Sequence, residues 1–125
     1  MTSRAVLIVD DDPSIREVAT MSLELVGGWR VVTARDGAEG LERIARHRPD
    51  VVLLDVMMPV LDGIATCTRI REKPETADLP VILVTAKIAP GDRQEWDGLA
   101  VSGVIAKPFD PMTLPAQVSA MLGWD

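Results

Sequence analysis

At 125 residues the chain is one domain, long enough to bury a core and too short for two. Its net charge of -6 argues against a nucleic-acid partner, and one Cys with one His excludes an internal disulfide, a zinc site and a Cys/His nucleophile. No apolar run approaches the roughly 18 residues of a membrane span, and no signal peptide precedes the first strand, so a cytoplasmic protein without a membrane partner is expected.

The first strand is the apolar run Ala5-Val6-Leu7-Ile8-Val9, which ends in carboxylates at Asp10, Asp11 and Asp12. Asp12-Pro13 reads as N-cap plus first helical residue. The helix that follows carries an apolar stripe of Ile15, Val18, Ala19, Leu25 and Val26, interrupted by Ser22 and stopped at Gly27-Gly28. Trp29 to Ala34 is a second, shorter strand near an edge. Asp36 caps a helix with Ala38, Leu41, Ile44 and Ala45 facing inward, ended by Pro49; His47 fits there as an ordinary C-terminal cation.

Val51-Val52-Leu53-Leu54-Asp55 is the stretch around which the rest is arranged. Consecutive branched apolar residues without polar alternation indicate a strand buried on both faces. It ends on a single carboxylate, and Leu61-Asp62-Gly63 turns the chain into a third helix with Ile64, Cys67 and Ile70 on one side. Lys73-Pro74 breaks that helix. Pro80 to Ala86 forms a fourth strand ending on the Thr85 hydroxyl, followed by a loop over 87–91 and a short helix over 92–99. Gly103 to Lys107 is a fifth strand, and a last helix carries Leu114, Val118, Met121 and Leu122, with Pro115 in its first turns, so that this helix is expected either to start late or to bend there.

Five strands alternating with five helices predict an α/β fold with a doubly wound parallel sheet. The domain takes up residues 1–125, and no output domain is expected. Right-handed crossovers bring the C-terminal ends of all strands to one edge, so Asp10, Asp11, Asp55, Thr85 and Lys107 converge on one rim. Close carboxylates repel by about 4 kcal/mol per pair at an effective dielectric of 20, and so call for a cation. Oxygen ligands with retained water suit Mg²⁺. With Asp12 committed to its helix, Asp10, Asp11 and Asp55 remain for the metal. Lys107 supplies a mobile positive charge and Thr85 a donor for phosphoryl oxygens. Asp55 is then a carboxylate nucleophile able to form an acyl phosphate.

These residues resemble the receiver domain of two-component response regulators over essentially the whole chain. The acidic pair Asp10-Asp11, Asp55, Met58-Pro59, Asp62-Gly63, Thr85-Ala86 and Lys107-Pro108-Phe109 carry the resemblance. It implies the flavodoxin-like, CheY-like (βα)5 fold with strand order 2-1-3-4-5, and phosphorylation of Asp55 by a histidine kinase or histidine phosphotransfer protein. It also implies Mg²⁺ held by Asp11, Asp55 and the Met57 carbonyl, with Asp10 acting through water, a cis Lys107-Pro108 peptide, and readout by a downstream effector protein. Such a protein is not an enzyme toward other substrates; it catalyses only its own phosphorylation and dephosphorylation. Thr85 and position 104 are the family's switch positions. Position 104 usually holds an aromatic ring, and Val104 stands here instead, which argues against a ring-flip switch.

Taken singly, each of these residues has an ordinary reading: a strand-ending Asp caps a turn, Thr85 favours a strand, and Lys107 is a solvated charge. Only their common placement promotes them. Among rivals, an aspartate-nucleophile phosphohydrolase of the haloacid-dehalogenase type needs a second Asp where Met57 stands. A nucleotide- or flavin-binding domain needs a Gly-rich or Ser/Thr-rich first loop, whereas Asp10-Asp11-Asp12 repels phosphate. A receiver used only for docking would have no need of the full phosphotransfer set.

Overall fold

The computed structural model describes residues 4–58, 62–86 and 99–124. Five parallel strands, β1 (Ala5–Val9), β2 (Arg30–Ala34), β3 (Val51–Asp55), β4 (Val81–Thr85) and β5 (Gly103–Ala106), lie in the order β2-β1-β3-β4-β5. This is the order that the resemblance implied. β1, β3 and β4 are buried along their whole length, while the edge strands β2 and β5 are half-buried. Unbroken apolar runs thus occupy the middle of the sheet, covered on both faces.

One core cluster joins Leu7, Val9, Leu54 and Leu83 to Ile44, Cys67 and Ile70 of helices α2 (Gly37–His47) and α3 (Gly63–Glu72). The other joins Val6, Ile8, Leu53 and Ile82 to Ala19 of α1 (Pro13–Met21), and to Leu114 and Val118 of α4 (Leu114–Leu122). Aspartates begin three of the helices: Asp12, Asp36 and Asp62 each accept a backbone N–H of the first turn at 2.8 Å. Gly40 lets α2 approach β1, since a Cβ there would lie 3.0 Å from a Val9 methyl.

Three expectations need correction. The stripe proposed for the first helix fails beyond Ala19, because the helix continues from Met21 into a π-helix at Ser22–Val26. Wider turns change the facing residues: Ser22 and Leu23 are buried, while Val26 and Leu25 are exposed, Leu25 by 78%; Val18, before the π-helix, is exposed as well. In α2, Ile44 is buried and Leu41 half-buried as expected, but Ala38 and Ala45 are exposed, and Gly37 and Gly40 take the inward places. Pro115 does not delay its helix; α4 begins at Leu114, so the proline falls in the first turn, where its missing N–H costs nothing. The loop over 87–91, the expected helix over 92–99 except for Leu99, and Pro59 lie outside the described residues. Four α-helices are present among the described residues, and none of their helices is long and apolar enough to cross a membrane.

Candidate functional site

Parallel register sets the site. Val9 pairs with Leu54, Asp55 with Val84, and Thr85 with Ala106, so the ends of β1, β3, β4 and β5 lie side by side. Asp10, Asp55 and Thr85 are buried there, Lys107 is half-buried and Asp11 is exposed. The turn out of β1 uses its own aspartates. Asp10 Oδ1 accepts the Asp12 N–H at 2.9 Å, and Asp12 Oδ1 in turn accepts the Ser14 N–H. Asp12 is thereby committed to the helix start, as its sequence position implied.

Asp10, Asp11 and Asp55 each offer a carboxylate oxygen within 4.8 Å of the other two. Lys107 Nζ lies 2.8 Å from Asp10 Oδ2 and 3.3 Å from Asp55 Oδ1. The Met57 N–H donates to the same Asp55 oxygen at 3.3 Å. Burial, reinforced by the charge of Asp10, pushes the Asp55 carboxyl up to about 6, against the pull of Lys107 and the Met57 N–H. Burial disfavours the charged form of Lys107, but its hydrogen bond to Asp10 and the charges of Asp10 and Asp55 outweigh it and hold the ammonium above its usual range.

Among the described residues one ammonium faces three carboxylates, which leaves these groups short of positive charge. A small divalent cation with a preference for oxygen fits that donor set and that deficit. Asp55 meets the requirements of a nucleophile: its carboxylate lies at the open edge of the sheet, with a cation and a backbone donor on one oxygen.

The described structure thus brings Asp10, Asp11, Asp55 and Lys107 together, with Thr85 ending the adjacent strand. The Thr85 carbonyl accepts the Lys107 N–H at 2.9 Å, which ties the two strand ends. The Met57 side chain is exposed, and its residue touches the site through its backbone N–H. Val104 stands apart: it pairs with Leu83 in the sheet and packs, half-buried, on the core beneath α3. The Lys107-Pro108 peptide is cis, as the resemblance implied. Sequence reasoning missed Arg16, whose guanidinium donates to the Asp10 carbonyl at 2.7 Å. Its spacing was the available signal, because residue i+4 from the cap Asp12 lies on the same face of the helix, within reach of its first turn.

The family model described as response regulator receiver domain matches residues 6–119. The chain is 42% identical over 121 residues to the probable transcriptional regulator ycf27 of Guillardia theta, covering 97% of this chain and 46% of that protein. It is 36% identical over 117 residues to the DNA-binding dual master transcriptional regulator RpaA of a Synechocystis strain, covering 94% and 48%. The chain spans about half the length of these curated relatives. Among solved structures, it superposes on the Vibrio cholerae chemotaxis protein CheY4 with a TM-score of 0.90 at 32% identity, covering 96% of this chain and 99% of that one. It is similar also to the signal receiver domain of a signal transduction histidine kinase from Syntrophus aciditrophicus, with a TM-score of 0.85 at 30% identity over 97% and 91% of the two chains. Relatives named as transcriptional regulators lend no support to the expectation, drawn from net charge, that nucleic acid plays no part.

Proposed function

This chain belongs to the response-regulator receiver family, and we propose that it works as a phosphoacceptor switch on Asp55. The observation that carries the reading is the buried Asp55 carboxylate beside Lys107, Asp10 and Asp11 at the sheet edge. The donor is a phosphohistidine of a histidine kinase or a histidine phosphotransfer protein, and the setting is cytoplasmic.

In the transfer step an Asp55 oxygen attacks phosphorus, the bond from phosphorus to the donor imidazole nitrogen breaks, and the imidazole leaves with a proton. Lys107 stands within reach of the Asp55 oxygen, where its ammonium can pass from a carboxylate to a phosphoryl oxygen. Thr85, at the neighbouring strand end, offers its hydroxyl to a second oxygen. Asp10, Asp11, Asp55 and the Met57 carbonyl are the groups that would hold Mg²⁺, which when bound offsets the charge of the phosphoryl oxygens. Attack of water on phosphorus restores the carboxylate and releases inorganic phosphate. No further substrate is assigned.

The phosphorylated state acts through an effector protein. The transcriptional regulators among the relatives make a DNA-binding effector a natural case of it. The switch residues are Thr85, through its contact with the phosphoryl group, and the segment after it; Val104 is stiff at χ1 and lies in the core packing. The test is incubation with acetyl phosphate, with Mg²⁺ or with EDTA. Intact mass should gain one phosphoryl group in the wild type with Mg²⁺ only, and none in Asp55→Asn. Equal labelling of Asp55→Asn removes the reading.

A further inference from the structure

The loop that carries Lys107 is held at both ends. At its start the Lys107 N–H donates to the Thr85 carbonyl at 2.9 Å. Phe109 packs on the core cluster shared with α4, and the Asp110 side chain accepts the Met112 N–H at 2.9 Å. At its far end the Pro111 carbonyl accepts the hydroxyl of Ser22, 89 residues away in sequence. Ser22 is 3% exposed and opens the π-helix that continues α1. A buried hydroxyl inside an otherwise apolar run must find a partner, and the one it has lies on the loop that follows Lys107.

The same helix grips the other half of the ion pair. Arg16 donates to the Asp10 carbonyl at 2.7 Å, and Asp10 holds Lys107 Nζ at 2.8 Å. A closed circuit results: Arg16 to the Asp10 backbone, Asp10 to Lys107, Lys107 along its loop to Pro111, and Pro111 to Ser22 on the helix that bears Arg16. One continuous helix, α1 with its π-helix, therefore fixes both partners of the Asp10–Lys107 contact.

We propose that Ser22 is a positioning residue for Lys107, acting through its hydroxyl on the loop over 107–113. It touches neither phosphoryl group nor metal. Ser22 spares the ammonium the cost of searching for its place when the Asp55 phosphate forms. An apolar residue at this position fills the space and leaves the loop untied at that end. The inference rests on the phosphoacceptor reading for its catalytic part only.

Ser22→Ala should keep the fold, because Pro111 is exposed and its carbonyl can take water instead. With acetyl phosphate and Mg²⁺, its maximal phosphorylation rate should fall about tenfold, less than the roughly hundredfold cost of outright misplacement. The half-saturating concentrations of donor and Mg²⁺ should stay within about twofold, since neither binds through Ser22. Ser22→Thr, which keeps the hydroxyl, should restore the rate. In a Lys107→Ala background, Ser22→Ala should cost nothing further. The NMR shift of Lys107 Cε in unphosphorylated protein should move in Ser22→Ala and return in Ser22→Thr. An unchanged rate in Ser22→Ala, a further loss in the Lys107→Ala background, or an unmoved Cε shift overturns the proposal. If the wild type takes no label on Asp55, the functional reading fails, and the Cε shift alone decides whether Ser22 positions Lys107.

Discussion

Replacing Asp55 by Asn should stabilise the metal-free protein at neutral pH, although it removes the proposed phosphoacceptor. Asp55 is 4% exposed, and burial together with Asp10 raises its pKa from the usual 3.8 to about 6. A carboxyl with a raised folded-state pKa disfavours the folded state once it ionises. That penalty is absent well below pH 3.8, grows as pH rises through the interval to about 6, and is complete above it. At 1.36 kcal/mol per unit, the shift amounts to about 3 kcal/mol at neutral pH and about half of that near pH 5. The attraction of Lys107 at 3.3 Å is already contained in the shift. Asn keeps nearly the same shape and an oxygen for the Met57 N–H, so the gain should approach the full penalty. Urea unfolding in EDTA, at neutral pH and near pH 5, measures it. A variant less stable than the wild type at neutral pH, or a gain that does not shrink near pH 5, refutes the reasoning.

Mg²⁺ should raise the melting temperature of the wild type, a gain of about 2.7 kcal/mol of stability at a hundred times the dissociation constant, and Asp11→Ala should abolish that rise; a thermal titration with undiminished Mg²⁺ affinity counts against Asp11 as a ligand. Gly63→Ala places a Cβ 2.3 Å from the Asp55 carbonyl oxygen and 2.7 Å from Val56 Cα, so the backbone at Asp55 must shift. We expect a loss of about 2 kcal/mol or more in urea unfolding together with slower phosphorylation, and normal values of both would show that the turn is not a constraint. Val104→Ala should cost about 1–2 kcal/mol of stability through lost packing and leave the phosphorylation rate within twofold; a rate that falls with stability would tie Val104 to the chemistry.

The sheet and its rim were legible because both follow from short-range patterns. Continuous runs such as Val51–Leu54 and Val81–Val84 fit only the middle of a parallel sheet, and right-handed crossovers then place Asp10, Asp55, Thr85 and Lys107 together. The caps at Asp12 and Asp36 were equally open to reading, whereas Asp62, which the sequence shows only as part of a turn, proves to be a cap as well. The far half of the first helix was not legible. Counting apolar residues at 3.6 per turn assumes an α-helix, and the π-helix from Ser22 widens the turn, so Leu23 replaces Leu25 inside. Small residues misled in α2, where Gly37 and Gly40 are buried and the apparently apolar Ala38 and Ala45 are exposed. Contacts made by long polar side chains to distant backbone carry almost no sequence signal. Arg71, which donates to the carbonyls of Ala77, Leu79, Leu99 and Ala100, shows this.

The most direct measurement is the position of the covalent label. The protein is treated with acetyl phosphate and Mg²⁺, the acyl phosphate is reduced with borohydride, and the peptides are mapped by mass spectrometry. Reduction should convert Asp55, and no other aspartate, to homoserine. Conversion at Asp10, Asp11 or any other residue, with Asp55 intact, contradicts the assignment of Asp55 as the phosphoacceptor.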